Sequence, residues 1–207
     1  MISAREALKR LQEGNQRFVS NECRNLSLSD SQRAELSKEQ SPLAIILGCS
    51  DSRVPAEIVF DQGLGDLFVI RVAGNIVAPS QIGSVEFAAS RFGTPLVVVL
   101  GHSQCGAILA TLEELQRPSE NQSRNVRSIV DRVRPSVEAL LATDFKNDHQ
   151  ELVRQSVRAN IRASVSHLRH GSELLEELID SDKLVVVGAE YSLETGLVEF
   201  FDSMPSD

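Results

Sequence analysis

Two short motifs concentrate the side chains of this chain that are capable of chemistry: Gly48-Cys49-Ser50-Asp51-Ser52-Arg53 and Gly101-His102-Ser103-Gln104-Cys105-Gly106. Between them they offer two thiols, an imidazole, a carboxylate and a guanidinium. Two thiolates and one imidazole are a set that zinc accepts, and three protein ligands leave a fourth position open, as in catalytic zinc sites. Asp51 either closes that position or stands aside and bonds to a water held there, because an ionised carboxylate offers only acceptors.

Such a set works only if the fold brings Cys49, His102 and Cys105 to one point. Each motif directly follows a short apolar run, Leu43–Leu47 before the first and Leu96–Leu100 before the second. Leu67–Val72 and Leu184–Val187 are runs of the same kind. Their β-branched, continuously apolar character suits strands buried on both faces, as in a parallel sheet. Sites in open α/β sheets form at the carboxyl ends of strands, where both motifs would lie.

Helical patterns separate the runs. One spans Pro79–Phe92, another Gly106–Leu115, and a long one ends near Ile179. Strands alternating with helices define an α/β fold. The expected architecture is a central four-stranded, mainly parallel sheet plus an antiparallel edge strand, flanked by helices. The edge strand comes from the tail, where Glu194-Thr195-Gly196 supplies a hairpin turn before LVEFF.

At the other end, apolar positions from Ser3 to Phe18 mark an amphipathic helix, with Ser3 and Glu6 as a capping box. It belongs to an N-terminal helical arm (1–40) that extends from the core (41–207), the whole forming a single domain (1–207). The polar stretch Asn21–Gln40 holds another short helix, and Arg117–Arg127 reads as a surface loop.

Bulk composition narrows the class. A chain of 207 residues with net charge −8 has no long basic run, which argues against nucleic acid or an anionic membrane as partner. No apolar run reaches the length of a membrane span, and the charged N-terminus lacks the apolar core of a signal peptide. The expected location is cytoplasmic. Three cysteines are too few for a disulfide scaffold, which leaves metal binding, catalysis or packing.

CSDSR followed by the HxxC of GHSQCG, with FVIRVAGN between them and LETG near the end, closely resembles the β-class carbonic anhydrases in order and spacing. The likeness spans nearly the whole chain. It implies one zinc ion per subunit on Cys49, His102 and Cys105, with Asp51 and Arg53 as a catalytic dyad. The activity implied is reversible hydration of carbon dioxide to bicarbonate and a proton through a zinc-bound hydroxide. Arg53 carries a planar fork of donors suited to holding Asp51 off the metal by a bidentate pair. Two thiolates make zinc a weaker Lewis acid than three neutral histidines do, so activity is expected to rise towards alkaline pH.

The same resemblance points to Gln40, Phe68, Ala73, Phe87 and the backbone N–H of Gly106 as substrate-binding positions of the plant-type, open-site branch. That branch tends to carry Val where Ala73 stands and Tyr where Phe87 stands, which implies a slightly wider pocket with one hydroxyl fewer. The other branch uses a Trp, Arg and Tyr set, and this chain has no Trp. Members assemble as dimers or multiples of dimers, which implies that a neighbouring subunit supplies Gln40, Phe68 and Phe87.

Other readings carry less. Cys23 has no ligand-type neighbour and reads as a small core residue. His149, His167 and His170 read as surface histidines, and Asp66 with Arg71 as a structural pair. Gly63-Leu64-Gly65 precedes a strand and lacks the third glycine of a dinucleotide fingerprint. The Cys49–Arg53 spacing is too short for a phosphate cradle. Asn25-Leu26-Ser27 and Asn121-Gln122-Ser123 match glycosylation tripeptides that chance often produces. Two rival functions remain: hydrolysis of carbon disulfide or carbonyl sulfide on the same ligand set, and a zinc-stabilised assembly or bicarbonate sensor without turnover.

Overall fold

The apolar runs become strands, buried on both faces in the middle of the sheet but only partly so in the second run, which lies at an edge and keeps half-buried residues and an exposed Arg71. In the computed structural model, which describes residues 2–24, 29–118 and 123–201, they form β1 (Ala44–Gly48), β2 (Leu67–Arg71), β3 (Leu96–His102) and β4 (Val185–Tyr191). The tail adds β5 (Val198–Phe200). The sheet order is β2-β1-β3-β4-β5, with the first four strands parallel and β5 antiparallel to β4. Every residue of β1 and β3 is buried, so the two motif-bearing strands occupy the dry middle of the sheet.

Alternation along these strands divides the core in two. Ile45, Leu47, Val97 and Val99 face one layer, built by α4 (Pro79–Phe92), α5 (Gly106–Gln116), α6 (Arg124–Val137), α7 (His149–His170) and α8 (Glu173–Asp180). Ile46, Val98 and Leu100 face the other, covered by α1 (Ala4–Val19) and α3 (Ala56–Val59). The short α2 (Asp30–Leu36) buries no residue. Gly101 has no side chain because α7 lies directly on β3 there: a Cβ would sit 2.5 Å from Ile161 Cδ1.

The expected fold class is present, with local differences. Ser3 caps α1 by accepting from the Glu6 N–H, but the Glu6 carboxylate turns to Arg10, so the capping box is half formed. The N-terminal helix does not reach away from the core. Its Ala7 and Leu11 are fully buried against the sheet. Asn15 ties it down, donating to the carbonyls of Val59 and Gly196 and accepting from the Val198 N–H.

The helix ending near Ile179 is two helices, since Ser172 caps α8 after a break at Gly171. The loop expected to run to Arg127 gives way to α6 at Arg124. Its apolar positions Val130, Val133 and Val137 lie beyond the polar stretch that suggested a loop. Cys23 is exposed and not a core residue. The two glycosylation tripeptides lie outside the described residues, save Ser123.

Candidate metal centre

β1 ends at Gly48, β3 ends on His102, and α5 begins at Gly106. Gly48 is level with Leu100 in the sheet, so Cys49 and His102 leave neighbouring strands at nearly the same height. Cys105 occupies the N-cap of α5 and returns its thiol to the same point. One ligand atom from each of Cys49, His102 and Cys105 lies within 4.8 Å of the others, and all three residues are buried. The two sulfurs are 4.0 Å apart.

The imidazole is set for coordination. His102 Nδ1 lies 2.9 Å from the Ser103 carbonyl, which only accepts, so Nδ1 carries the proton and Nε2 presents a lone pair. Nε2 is buried with no hydrogen-bond partner among the described residues. An unsatisfied buried polar atom costs about 1–3 kcal/mol. A cation between Nε2 and the sulfurs would remove that cost.

The thiols point the same way. The contact with Cys105 pulls the Cys49 thiol down to about 4; burial opposes this, while His102 and the N–H groups of Gly74 and Asp51 assist. The same contact, with burial, pushes Cys105 up, against the N–H groups of Ile108 and Ala107 in the first turn of α5. Two buried sulfurs thus share one proton, a position that a metal ion fills better. The residues present fit a soft-to-borderline divalent cation.

Asp51 stands beside this group, with one carboxylate oxygen 3.9 Å from His102 Nε2. Arg53 grips both oxygens, Nε to Oδ1 at 2.9 Å and Nη2 to Oδ2 at 2.7 Å, while its backbone N–H donates to Oδ1 at 3.0 Å. That grip holds the Asp51 carboxyl well below the usual carboxylate range despite partial burial.

Arg71 does not pair with Asp66. Its guanidinium donates to the carbonyls of Cys49 at 3.1 Å and Asp51 at 2.6 Å, clamping the first motif, and Asp66 accepts instead from the Gly63 N–H. Ser103 clamps the second motif: its N–H donates to the Tyr191 carbonyl and its hydroxyl accepts from the Leu193 N–H. Sequence reasoning gave neither residue a part. A charge closing an apolar run, and a hydroxyl between two ligands, were the available signals.

The expected substrate positions divide. Ala73 and Gly106 adjoin Gly74 and Cys105, whose atoms belong to the centre. Phe68 and Phe87 instead meet each other and Phe92 at the β2 edge, with ring centroids 5.5–6.3 Å apart. Gln40 is exposed ahead of β1. His149, His167 and His170 are exposed as expected. Among the described residues, no helix is long and apolar enough to cross a membrane.

A family model described as carbonic anhydrase matches residues 44–198. Carbonic anhydrase 2 of Mycobacterium tuberculosis is 41% identical over 190 residues, covering 92% of this chain and 89% of that protein. Among solved structures, the β-carbonic anhydrase CcaA superposes with a TM-score of 0.74 at 25% identity, covering 96% of this chain and 93% of the other. One of two tetrameric β-carbonic anhydrases from the ascomycete Sordaria macrospora gives 0.72 at 24% identity, covering 82% and 85%.

Proposed function

The chain belongs to the β-class carbonic anhydrases, and from that premise we propose that it catalyses the zinc-dependent, reversible hydration of carbon dioxide to bicarbonate and a proton. The observation that carries this reading is the buried, unpartnered His102 Nε2 facing two sulfurs within 4.8 Å. Cys49, His102 and Cys105 would hold one Zn2+ per subunit. When bound, zinc supplies the Lewis acidity that makes water nucleophilic, weakened by two thiolates so that activity rises towards alkaline pH.

Asp51 accepts a hydrogen bond from the attacking water and so orients its lone pair toward carbon dioxide. Arg53 keeps Asp51 in that role: with both oxygens engaged, the carboxylate is held from competing for the metal. This arrangement supports the open, plant-type site. Ala73 and the Gly106 N–H line the substrate position from the same chain.

Gln40, Phe68 and Phe87 act from a neighbouring subunit in a dimer or a multiple of dimers. Three features support this: β2 is an edge strand, Phe87 of α4 is 55% exposed beside it, and the Sordaria relatives are tetrameric. The chain works as a single domain, with the N-terminal helix docked on its core, in the cytoplasm.

Stopped-flow carbon dioxide hydration at alkaline pH, on protein of known zinc content, tests the reading. Turnover that scales with zinc is the expected result. Full zinc occupancy without turnover would overturn it, and activity on carbon disulfide or carbonyl sulfide would then replace it.

A further inference from the structure

Between β2 and α4 the chain makes a tight 3-10 turn, Ala73–Asn75, in which two successive residues take left-handed backbone angles: Gly74 with φ 71° and Asn75 with φ 42°. For a non-glycine residue that conformation is disfavoured and needs support from its surroundings. The turn also has a task, since the Gly74 N–H points at Cys49 Sγ, 3.4 Å away.

The support comes from one face of α7. Asn160 Nδ2 donates to the Gly74 carbonyl at 2.7 Å, and Ser164 Oγ donates to the Asn75 carbonyl at 3.0 Å. Asn160 and Ser164 are four apart, one helical turn, so a single helix face reaches both carbonyls. They are 2% and 4% exposed, which makes these bonds dry and each donor costly to strand. Ile161, next to Asn160, seats this stretch of α7 on β3 through the side-chain-free Gly101. The helix that supports the turn is thus anchored one residue from His102.

We propose that Asn160 and Ser164 are positioning residues for the metal centre, fixing the Ala73–Asn75 turn so that its Gly74 N–H is aimed at the Cys49 sulfur. The inference rests on the reading of Cys49 as a metal ligand. A hydrogen bond into a ligand sulfur draws electron density from it, and a turn fixed beforehand spares the site reorganisation when the cation enters. Without the two donors the turn relaxes and the N–H leaves the sulfur.

A cavity of about 580 Å³ borders Asn160 and Ser164, lined also by Ile76, Val77, Pro79 and His167. Shortening either side chain therefore opens a path for water and adds no overpacking. Truncation should leave the fold standing while removing the alignment.

The test compares the full chain with Asn160→Ala, Ser164→Ala and Ser164→Thr, using chelator competition for Zn2+ and the sulfur-to-cobalt charge-transfer band after loading with Co2+. Asn160→Ala should weaken zinc binding by roughly 10–100-fold, as loss of support around ligands typically does. Its band should move to lower energy, because the sulfur becomes more electron-rich. Ser164→Ala should follow in the same direction, and Ser164→Thr, which keeps the hydroxyl, should match the parent.

Parent-like affinity and an unshifted band in Asn160→Ala would overturn the inference alone. Absence of the band in the parent would overturn the metal reading and this inference with it. If Asn160→Ala does not fold, the Ser164 pair decides: a shift in Ser164→Ala that Ser164→Thr restores supports the inference, and identical behaviour of the two refutes it.

Discussion

The middle of the sheet and its β2 edge both carry residues expected to act on substrate, yet they are built oppositely. At the middle, Cys49, His102 and Cys105 are buried, and Arg53, Arg71 and Ser103 fix the two loops that hold them. At the edge, Phe68 of β2 packs with Phe87 and Phe92 of α4 as a small aromatic cluster beside the outermost strand, with Phe87 more than half exposed. Large exposed aromatics of this kind mark surfaces awaiting a partner. The difference separates two jobs. On the proposed function, one chain supplies the whole set of metal-binding side chains, whereas a neighbouring subunit finishes the apolar wall around the substrate.

The largest expected effect tests the first half of that contrast. His102→Ala should lose zinc stoichiometry and carbon dioxide hydration by several powers of ten, while sedimentation shows the oligomer intact. Loss of assembly along with the metal would show that the two regions are not independent. Next in size, Arg53→Ala should retain zinc and still lose about 100-fold in kcat/KM, because Asp51 is no longer held off the metal. Near-parent turnover in that variant would end the proposed role of the dyad.

These regions were not equally legible in the sequence. The metal trio could be read because its geometry is local: each ligand stands within a few residues of a strand end, and parallel strands fix how those ends align. The sheet, its antiparallel edge and the main helices followed from apolar runs and periodicity for the same reason. What lay hidden depends on long-range contacts between ordinary residues. Arg71 was assigned to Asp66 by proximity in sequence, but the motif carbonyls at 49 and 51 are nearer in space. Asn160 and Ser164 meet the 73–75 turn across 86 and 89 residues, a distance that no spacing rule spans. Cys23 and the docked N-terminal helix failed for a related reason, because which face of a segment meets the core is settled only when the core exists.

A smaller effect probes the edge. Phe87→Ser should leave zinc content unchanged and weaken self-association, read by sedimentation across a dilution series. Hydration activity should fall by about tenfold at concentrations where the variant dissociates, since only the wall and not the metal is lost. Activity that stays at the parent level in a dissociated variant would show that one chain suffices for the whole site.

The smallest effect distinguishes the two regions by pH. The Asp51 carboxyl is held below its ordinary range by Arg53, so folding favours its ionised form. A depressed folded pKa stabilises above the unfolded value, near 3.9 for Asp, and that contribution fades as pH falls through the folded value. Removing the pair partner therefore costs stability at neutral pH and less and less in acid. Thermal melts should show Arg53→Ala below the parent by roughly 1–3 °C at pH 7, as expected of a solvent-exposed pair. The gap should narrow steadily below about pH 4. The deficit of Phe87→Ser comes from apolar contact and should keep its size over the same range. Parallel pH curves for both variants would mean that the centre, like the edge, is held by packing and not by charge.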